Sequence, residues 1–293
     1  MAELRMLIGL PGCGKSTYAE NSGLIVHSSD AIRAELSLGE TEGAKTFDTL
    51  NKRVIADLRA DKAVIFDATN LSRKDRMTTL KMLNNAVRTP FKKVAVLFVV
   101  PVEVCMERNR NRTRVVPDYV YNRMLRRFDV PLLTEGWDEI DVVFSGFDAP
   151  FTKLSPDDLL DFNQENHHHS LTLGEHINKA VELIKTSDED AIEAMRYHDI
   201  GKFYTKRFEN TRGEKTEEAH YYGHANYGAY LYLVYNHDME LNRLMKIAAL
   251  INWHMAPYER WTNHTRLDRD KDLLSDEFIE TVNIMHEADA EAH

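Results

Sequence analysis

Cysteine is scarce in this chain of 293 residues, which has only Cys13 and Cys105. Two cysteines are too few for a disulfide framework, so a reducing, cytoplasmic setting is expected. Long apolar runs are also missing: the longest, residues 94–100, ends at Pro101 and is far shorter than the roughly 20 residues of a membrane span. No charged segment followed by an apolar core opens the chain as a signal peptide would. A membrane role is therefore not expected.

An excess of positive charge is absent as well. The chain has 37 Lys and Arg residues against 47 Asp and Glu residues, which gives a net charge of -10. This balance argues against a protein that coats polyanions generally, and a phosphate ligand would need a local basic site. The apolar fraction of 43% suffices for hydrophobic cores, and the length predicts about two domains at roughly 150 residues each.

The first half alternates short β-branched runs with longer amphipathic stretches. This pattern is typical of βαβ units, and it predicts an α/β domain with a parallel sheet and flanking helices at residues 1–148. Strands are expected at residues 4–9, 24–28, 63–67, 94–100 and 141–144. Helices are expected at residues 45–59, 73–86, 102–110 and 118–128.

The residue composition changes after residue 148. Glycine, proline and acidic residues predict a linker at residues 149–166, and strand signals then disappear. Residues 167–293 are expected to form an all-α domain, because apolar positions recur at helical spacing throughout. The predicted helices lie at residues 173–184, 191–197, 224–235, 241–252 and 276–288.

A phosphate-binding loop follows the first predicted strand and fits the pattern G-x-x-x-x-G-K-[ST]. Its residues are Gly9, Gly12, Cys13, Gly14, Lys15, Ser16 and Thr17. The glycines let backbone N–H groups surround phosphates, Lys15 bridges the β and γ phosphates, and Ser16 holds magnesium. Cys13 occupies a variable position and is expected to be a spectator. The alternative, a chance glycine turn, is disfavoured by the strand–loop–helix context.

Two carboxylates follow strands at the edge where open α/β sheets bind ligands. Asp30 comes after the second predicted strand, with Arg33 one helical turn later, and Asp67 ends the third. A carboxylate facing the γ phosphate can accept the proton of a substrate hydroxyl. The alternatives are that Asp30 is a helix N-cap and that Asp67 supports the phosphate-binding loop or its metal ion.

Seven arginines and one acid, Asp118, lie within residues 108–127. Solvated helix faces usually mix both signs of charge, so this bias indicates a lid whose arginines neutralise the transferring phosphate. A surface cluster without a ligand is the alternative. The arginines are Arg108, Arg110, Arg112, Arg114, Arg123, Arg126 and Arg127.

These segments together resemble the kinase domain of the bacteriophage-type polynucleotide 5′-kinases. The similarity rests on residues 9–17, 29–33, 67–71 and 107–117. It implies ATP and magnesium as cofactors and Asp30 as the general base for a 5′-hydroxyl. It also implies that Arg33 contacts the substrate phosphate and that Arg112, or secondarily Arg108, is the essential lid arginine.

Histidine is concentrated in the second half, which holds twelve of the thirteen. His198 and Asp199 sit at a predicted helix end, where Gly201 can turn the chain, and both can reach an ion above that end. His176 on the first helix and Asp289 on the last are expected to complete the shell. Imidazoles with carboxylates suit a divalent transition metal, with magnesium or manganese as options where oxygen ligands prevail.

The remaining histidines are assigned less specific roles. His224 and His254 fall on the intervening helices and could hold a second ion or the substrate phosphate. The triplet at residues 167–169 suits either a metal site or a polar helix entry. Ordinary helical positions are expected for His220, His237, His264, His286 and His293.

The order of His176, His198-Asp199, Lys202 and Asp289 resembles the HD phosphohydrolase family. Residues 166–176 and 223–225 are particularly similar to the HD domains attached to tRNA nucleotidyltransferases. This resemblance implies phosphatase or 2′,3′-cyclic phosphodiesterase activity on RNA ends, with Mn, Ni, Zn, Fe, Co or Mg as the metal.

The leading hypothesis is a bifunctional enzyme that phosphorylates 5′-hydroxyl ends of RNA or DNA and removes a 3′-phosphate or 2′,3′-cyclic phosphate. A polynucleotide ligase is then a candidate partner, because it needs a 5′-phosphate and a free 3′-hydroxyl. One alternative is a small-molecule or nucleoside kinase fused to an HD nucleotide phosphohydrolase. Another is a kinase regulated by a non-catalytic HD domain that senses nucleotides.

Overall fold

The structure is a computed structural model that describes residues 1–112, 114–167 and 170–292. Thr113 of the arginine-rich segment and three histidines considered above, His168, His169 and His293, lie outside these ranges. The chain divides into two compact units. The first comprises Met1–Pro117 with Pro131–Phe151, and the second comprises Asp118–Val130 with Thr152–His293.

The first unit contains a five-stranded parallel sheet, as the alternating pattern predicts. Its strands are β1 (Glu3–Ile8), β2 (Ile25–Ser28), β3 (Ala63–Asp67), β4 (Lys92–Val99) and β5 (Glu139–Phe144). They lie in the order β2-β3-β1-β4-β5, and Leu4 of β1 pairs with Val64 of β3 and Lys93 of β4. Strands β3 and β4 are almost entirely buried, which explains their mainly apolar sequences.

Helices connect these strands. They are α1 (Lys15–Asn21), α2 (Ser29–Glu35), α3 (Gly43–Arg59), α4 (Arg73–Val87) and α5 (Val102–Arg110), with short 3₁₀ turns at Glu40–Glu42 and Leu133–Glu135. In α3 the buried residues Leu50, Val54 and Leu58 recur every four positions, so that one face packs on the unit's core.

The second unit is predominantly helical, as predicted. Its helices are α6 (Asp118–Leu125), α7 (Leu173–Leu183), α8 (Glu189–Tyr197), α9 (Lys202–Thr205), α10 (His224–Tyr235), α11 (Leu241–Trp253), α12 (Ala256–Glu259), α13 (His264–Lys271) and α14 (Asp276–Glu291), with a 3₁₀ turn at Pro156–Leu159. Helix α10 is buried on nearly all sides, as expected for its apolar sequence. Side-chain caps at Thr172 and Ser275 fix the starts of α7 and α14.

Residues 118–130 group with the helical unit, whereas the sequence analysis places them in the first domain. Specific contacts explain this grouping. The amides of Asn226 and Asn252 donate to the Phe128 carbonyl, at 2.8 and 3.2 Å, and the Phe128 ring packs edge-on against Tyr230. These partners are about 100 residues away in sequence, which local patterning cannot reveal.

A β-hairpin corrects the expectation that the second half contains helices alone. Strands β6 (Arg207–Glu209) and β7 (Lys215–His220) pair in antiparallel fashion. The Asn210 side chain accepts hydrogen bonds from the N–H groups of Arg212 and Glu214, and Gly213 has φ +81° in the turn. The strands are short and polar, so they lack the β-branched alternation by which strands are recognised.

None of the helices in the described ranges combines the length and apolar character that crossing a bilayer requires.

Candidate functional site

The loop between β1 and α1 depends on glycine at two points. Gly12 has φ +78°, and a Cβ there would lie 2.2 Å from the carbonyl oxygen of Cys105. Gly14 has φ +97° and open space where its Cβ would be. The Gly9 N–H donates to the Thr69 carbonyl at 3.0 Å. The loop is thereby held in a curved form suited to surround phosphates.

Lys15 begins α1 and turns back over this loop. Its Nζ donates to the carbonyls of Gly9 and Leu10, at 3.0 and 2.7 Å. Cys13 is buried with its Sγ 3.6 Å from the same Nζ, so its thiol packs within the loop. Ser16 and Thr17 are exposed on the first turn of α1. The Lys15 ammonium therefore lies at the loop that would surround the phosphates, and the Ser16 hydroxyl is accessible to a magnesium ion.

Two carboxylates lie at the carboxyl ends of neighbouring strands. Asp67 ends β3 and is buried, whereas Asp30 lies in the first turn of α2 with its side chain half-exposed. Burial raises the pKa of Asp67, and the Lys15 ammonium opposes that rise. Asp67 is thus the carboxylate beside Lys15 of the phosphate-binding loop, while Asp30 is the one that an incoming substrate can reach.

Three arginines surround Asp30. Nη1 of Arg114 and Nη2 of Arg112 lie 2.9 and 3.3 Å from its carboxylate oxygens, and Nη1 of Arg33 lies at 3.9 Å. The loop after α5 therefore returns to the edge of the sheet, where its arginines can neutralise phosphate charge.

Arg108 lies elsewhere. It is exposed on α5, and one of its terminal nitrogens would be 3.3 Å from a Cβ placed on Gly146. Of the two lid arginines implied by resemblance, the structure brings Arg112 to Asp30 and leaves Arg108 near Gly146.

Asn109 shapes this lid, and its role was not predicted. Its side chain is fully buried; the amide donates to the Val116 carbonyl at 2.8 Å, and its oxygen accepts from the Val116 N–H at 3.1 Å. These two bonds close the loop that carries Arg112 and Arg114. A single asparagine near a helix end carries no sequence signal for such a closure.

A buried ion pair supports the segment after Asp67. Arg76 donates from Nη2 and Nε to both Glu135 oxygens, at 2.6 and 2.8 Å, and from Nη1 to the Leu71 carbonyl at 2.8 Å. Asn70, at φ +47°, donates to the Leu7 carbonyl of β1 at 2.7 Å. The turn after β3 is therefore fixed beside the phosphate loop by residues far apart in sequence.

In the second unit, four predicted ligands meet in one buried group: His176, His198, Asp199 and Asp289. Nε2 of His176 lies 3.3 Å from Asp199 Oδ2 and 3.0 Å from Asp289 Oδ1, and Nε2 of His198 lies 3.4 Å from both. Ligand atoms bound at about 2.1 Å to one ion, at tetrahedral or octahedral angles, lie about 3.0–3.4 Å apart. The spacing therefore fits a single divalent cation.

A second group of ligands shares Asp199. Its other oxygen, Oδ1, lies 3.1 Å from Nε2 of His224 and 3.8 Å from Nε2 of His254, and the two Nε2 atoms are 3.1 Å apart. His224 begins α10, and His254 follows α11. The carboxylate of Asp199 thus faces two adjacent ligand groups, one on each oxygen.

Backbone carbonyls orient all four imidazoles. Nδ1 of His198, His224 and His254 donates to the carbonyl three residues earlier, at 2.7, 2.8 and 2.8 Å, and Nδ1 of His176 lies 3.4 Å from the Ala292 carbonyl. A carbonyl can only accept, so each Nδ1 carries a proton, and Nε2 is the ring nitrogen that faces the carboxylates. Metal-binding histidines commonly have this outer contact.

Electrostatics indicate that this group accommodates positive charge. Burial acts to lower the pKa of His198, but Asp199 and Asp289 raise it to about 10. Burial opposes ionisation of both carboxylates, yet Lys202 and His198 hold the pKa of Asp199 well below its usual value, and His176 and His198 do the same for the pKa of Asp289. Burial and the neighbouring His224 lower the pKa of His254 to about 3, so that imidazole is neutral. Two ionised carboxylates, and the positive charge that they favour at His198, suit a divalent cation.

Lys202 and Gln164 flank the shared carboxylate. Nζ of Lys202 lies 2.6 Å from Asp199 Oδ2 and donates to Oε1 of Gln164 at 3.1 Å; both side chains are buried. Gln164 falls in the predicted linker and was not identified from the sequence. It fixes the ammonium against Asp199, and no motif marks it.

Gly201 serves close packing. A Cβ there would lie 2.1 Å from the carbonyl oxygen of His224 and 2.7 Å from the N atom of Gly228. Its φ of -67° is one that any residue can adopt. Glycine is therefore required because α10 approaches the His198-Asp199 turn, and not because the turn itself needs it.

The histidines for which ordinary helical positions are expected belong to neither ligand group found among the described residues. His220 stacks on Tyr222, His286 contacts Tyr258 edge-on, and Nδ1 of His237 lies 3.2 Å from the Val234 carbonyl. Nδ1 of His167, from the triplet, lies 2.5 Å from an oxygen of Glu218.

Two family models match this chain, one in each half. Residues 4–131 match the model described as AAA domain, and residues 166–291 match the HD domain model. The chain therefore carries a P-loop, kinase-like α/β domain followed by an HD domain.

The individual proteins that resemble this chain share less than 30% of the aligned residues with it. The chain is 29% identical over 168 residues to transcription factor bHLH140 of Arabidopsis thaliana, covering 53% of this chain and 18% of that protein. It is 26% identical over 149 residues to L-seryl-tRNA(Sec) kinase of Methanococcus maripaludis, covering 47% and 57%. It thus spans well under two thirds of either curated relative. A solved structure of a fungal RNA kinase aligns at a TM-score of 0.39 with 15% identity, covering 52% and 79%.

Proposed function

We propose that this chain is a bifunctional nucleic-acid end-healing enzyme. The α/β unit transfers the γ phosphate of ATP to a 5′-hydroxyl end. The HD unit removes a 3′-phosphate, or opens a 2′,3′-cyclic phosphate with water and then hydrolyses the resulting phosphomonoester, so that a hydroxyl is left. The observation that carries the proposal is the presence in one chain of a phosphate loop beside the arginine-bracketed Asp30 and a buried cluster of metal ligands around Asp199. One site adds phosphate to an alcohol, and the other removes it.

In the kinase unit, Asp30 is positioned to accept the proton of the attacking hydroxyl, because it is accessible and lies at the strand edge. Arg112 and Arg114, which pair with Asp30 in this structure, would pair with the phosphates of a bound substrate instead. Lys15 would bridge the β and γ phosphates, and Ser16 would hold magnesium, whose charge offsets that of the phosphates.

In the HD unit, His176, His198, Asp199 and Asp289 would hold one divalent ion, and His224 and His254 would hold a second ion or orient the substrate phosphate. A divalent ion in such a site supplies Lewis-acid activation of water and of the phosphate. Lys202 neutralises part of the Asp199 charge and keeps that carboxylate in place. The mixed nitrogen and oxygen ligands suit Mn, Fe, Co, Ni or Zn, with Mg as the oxygen-favouring option.

A polynucleotide acceptor is preferred over a small metabolite. The L-seryl-tRNA(Sec) kinase is named for an RNA acceptor, and that supports the preference. Several arginines around one accessible carboxylate suit a substrate that brings phosphates of its own besides those of ATP.

The test follows both ends of an RNA that carries a 5′-hydroxyl and a 2′,3′-cyclic phosphate, with ATP, Mg²⁺ and Mn²⁺. Lys15→Ala and Asp30→Asn are expected to lower 5′-phosphorylation at least about 100-fold and to spare the 3′ end. His198→Ala and Asp199→Asn are expected to do the reverse. Asp48→Asn and His264→Ala, which change exposed residues of the same types, serve as matched controls.

Other outcomes would favour the alternatives. ATP consumption with a nucleoside or sugar acceptor, and none with the RNA, would favour a small-molecule kinase joined to a nucleotide phosphohydrolase. Kinase activity without any metal-dependent hydrolysis would favour an HD domain that senses nucleotides and regulates the kinase.

A further inference from the structure

Two arginines of the second unit lie side by side with no acidic partner among the described residues. Arg126 follows α6, and Arg207 begins β6. Their Nε atoms are buried, and no described residue accepts a hydrogen bond from either. Burial and the charge of Arg207 lower the pKa of Arg126, as expected for adjacent like charges.

An aromatic pair completes this cluster. The Arg207 guanidinium lies 4.6 Å from the centroid of the Tyr222 ring, and His220 stacks on that ring at 5.2 Å with an interplanar angle of 16°. Arg207 and His220 are directly paired across the hairpin. Nε2 of His220 is also buried without a hydrogen-bond partner in the described part of the chain. Three nitrogens that can each donate a hydrogen bond therefore lie in one small region without an acceptor.

Such an arrangement costs stability unless a ligand completes it. Buried donors normally have acceptors, and a pair of guanidinium groups repels in the absence of an anion. A phosphate supplies several acceptor oxygens and negative charge, and the planar guanidinium matches its geometry. If the cluster only filled space in the fold, uncharged side chains could do so without the repulsion between the two guanidinium groups.

The cluster adjoins a segment that carries a metal ligand. A Cβ on Gly223 would lie 2.6 Å from the Arg126 carbonyl oxygen, so Arg126 packs directly against the residue before His224. The Tyr221 carbonyl, next to Tyr222, accepts the Nδ1 proton of His224. A strand end bound at the metal ligands could therefore place an upstream phosphate at the arginines.

We propose that Arg126, Arg207, His220 and Tyr222 bind a backbone phosphate of single-stranded nucleic acid and thereby orient the strand end toward the HD ligands. The choice of a nucleic-acid phosphate rests on the proposed function. The phosphate site itself rests only on the cluster.

The test measures binding with an oligonucleotide that neither unit can process. A ten-nucleotide RNA with a 5′-fluorescein and a 3′-hydroxyl is titrated in EDTA, and fluorescence anisotropy gives Kd at several salt concentrations. The double variant Arg126→Gln with Arg207→Gln is expected to raise Kd about tenfold and to reduce the salt slope by about 0.7, the contribution of one single-strand phosphate contact. Circular dichroism confirms that the variant is folded.

The matched control is Arg269→Gln with Arg212→Gln, which removes the same charge from exposed positions of α13 and of the hairpin turn. It is expected to raise Kd less than about threefold. Equal losses in the two double variants would overturn the proposal, because general charge would then explain binding. Arg126→Lys with Arg207→Lys is expected to restore part of the salt slope but only part of the affinity, since lysine lacks the planar fork.

Competition distinguishes the sources of phosphate. Unlabelled oligonucleotide is expected to displace the probe at far lower concentration than inorganic phosphate or a nucleoside monophosphate. Equal competition per phosphate would overturn the nucleic-acid assignment and leave a site for free phosphate. Because the probe is inert and the metals are chelated, loss of this site and failure of the end-healing activities are observed separately.

Discussion

The carboxylate of Asp199 serves two groups of ligands. Its Oδ2 faces His176, His198 and Lys202, and its Oδ1 faces His224 and His254. A carboxylate that bridges two positions in this way should control the occupancy of both, whereas each outer histidine should control only one.

This arrangement leads to a prediction about metal content. After loading with Mn²⁺ and gel filtration, the wild-type protein is expected to hold up to two ions per chain by elemental analysis. His254→Ala is expected to retain one, and the isosteric Asp199→Asn is expected to retain none, because the bridging charge is lost. His264→Ala, an exposed histidine, should match the wild type. Two ions in Asp199→Asn, or none in His254→Ala, would contradict the shared-ligand geometry.

Asn109 leads to a prediction for the kinase unit. Asn109→Ala removes both hydrogen bonds to the Val116 backbone, each worth about 0.5–1.5 kcal/mol, from the loop that holds Arg112 and Arg114. Kinase kcat/KM is expected to fall about tenfold, measured with saturating ATP and varied 5′-hydroxyl oligonucleotide.

The control for this variant is Asn85→Ala, which changes an exposed asparagine on α4. Manganese content should be the same in Asn109→Ala and in the wild type. Unchanged kinase kinetics in Asn109→Ala would show that the loop keeps its form without the asparagine.

At the scale of elements, the long helices and the parallel strands were predictable because their burial repeats locally. A window of a few residues suffices to recognise the spacing of Leu50, Val54 and Leu58 in α3 and the apolar run of β4. The β6–β7 hairpin was not predicted, because its strands are short and polar. Residues 118–130 group with the helical unit through Asn226 and Asn252, which are distant in sequence and donate hydrogen bonds to the Phe128 carbonyl.

The candidate sites divide in the same way. Residue types in a motif order predicted the phosphate loop and the His198-Asp199 group, and the structure brings those residues together. Glu135 and Gln164 act through Arg76 and Lys202, and nothing in their own neighbourhoods marks them. Supporting residues depend on tertiary contacts, so a single sequence does not reveal them.

The contact between Gly201 and α10 gives an element-scale prediction. Gly201→Ala places a methyl group 2.1 Å from the His224 carbonyl oxygen and must separate α10 from the His198-Asp199 turn. The free energy of unfolding of the second unit is expected to fall by about 3 kcal/mol, with loss of bound manganese. Urea unfolding and elemental analysis measure the two effects.

Gly213→Ala is the matched control for this change. Its φ of +81° strains any other residue, but open space surrounds the position. The cost is expected to be about 1 kcal/mol with full metal content. Equal effects in the two variants would remove the packing explanation for Gly201.

At the scale of the whole molecule, the net charge of -10 and the local arginines have different consequences. The overall charge opposes indiscriminate binding to polyanions, while Arg112 and Arg114 in one unit, and Arg126 and Arg207 in the other, offer local sites for phosphate. Such a charge distribution suits an enzyme that recognises the ends of a nucleic acid.

We propose that the two units act on the two sides of one break. The most direct measurement uses a nicked RNA stem-loop with a 5′-hydroxyl and a 2′,3′-cyclic phosphate at the nick. The RNA is treated with the protein, ATP, Mg²⁺ and Mn²⁺, and the protein is then heat-inactivated. A ligase that requires a 5′-phosphate and a 3′-hydroxyl is added last.

A sealed product is expected with the wild-type protein and with a mixture of Lys15→Ala and His198→Ala, and none is expected with either variant alone. No sealed product from the wild-type protein, under conditions where a nick prepared with a 5′-phosphate and a 3′-hydroxyl is sealed completely, would contradict this proposal.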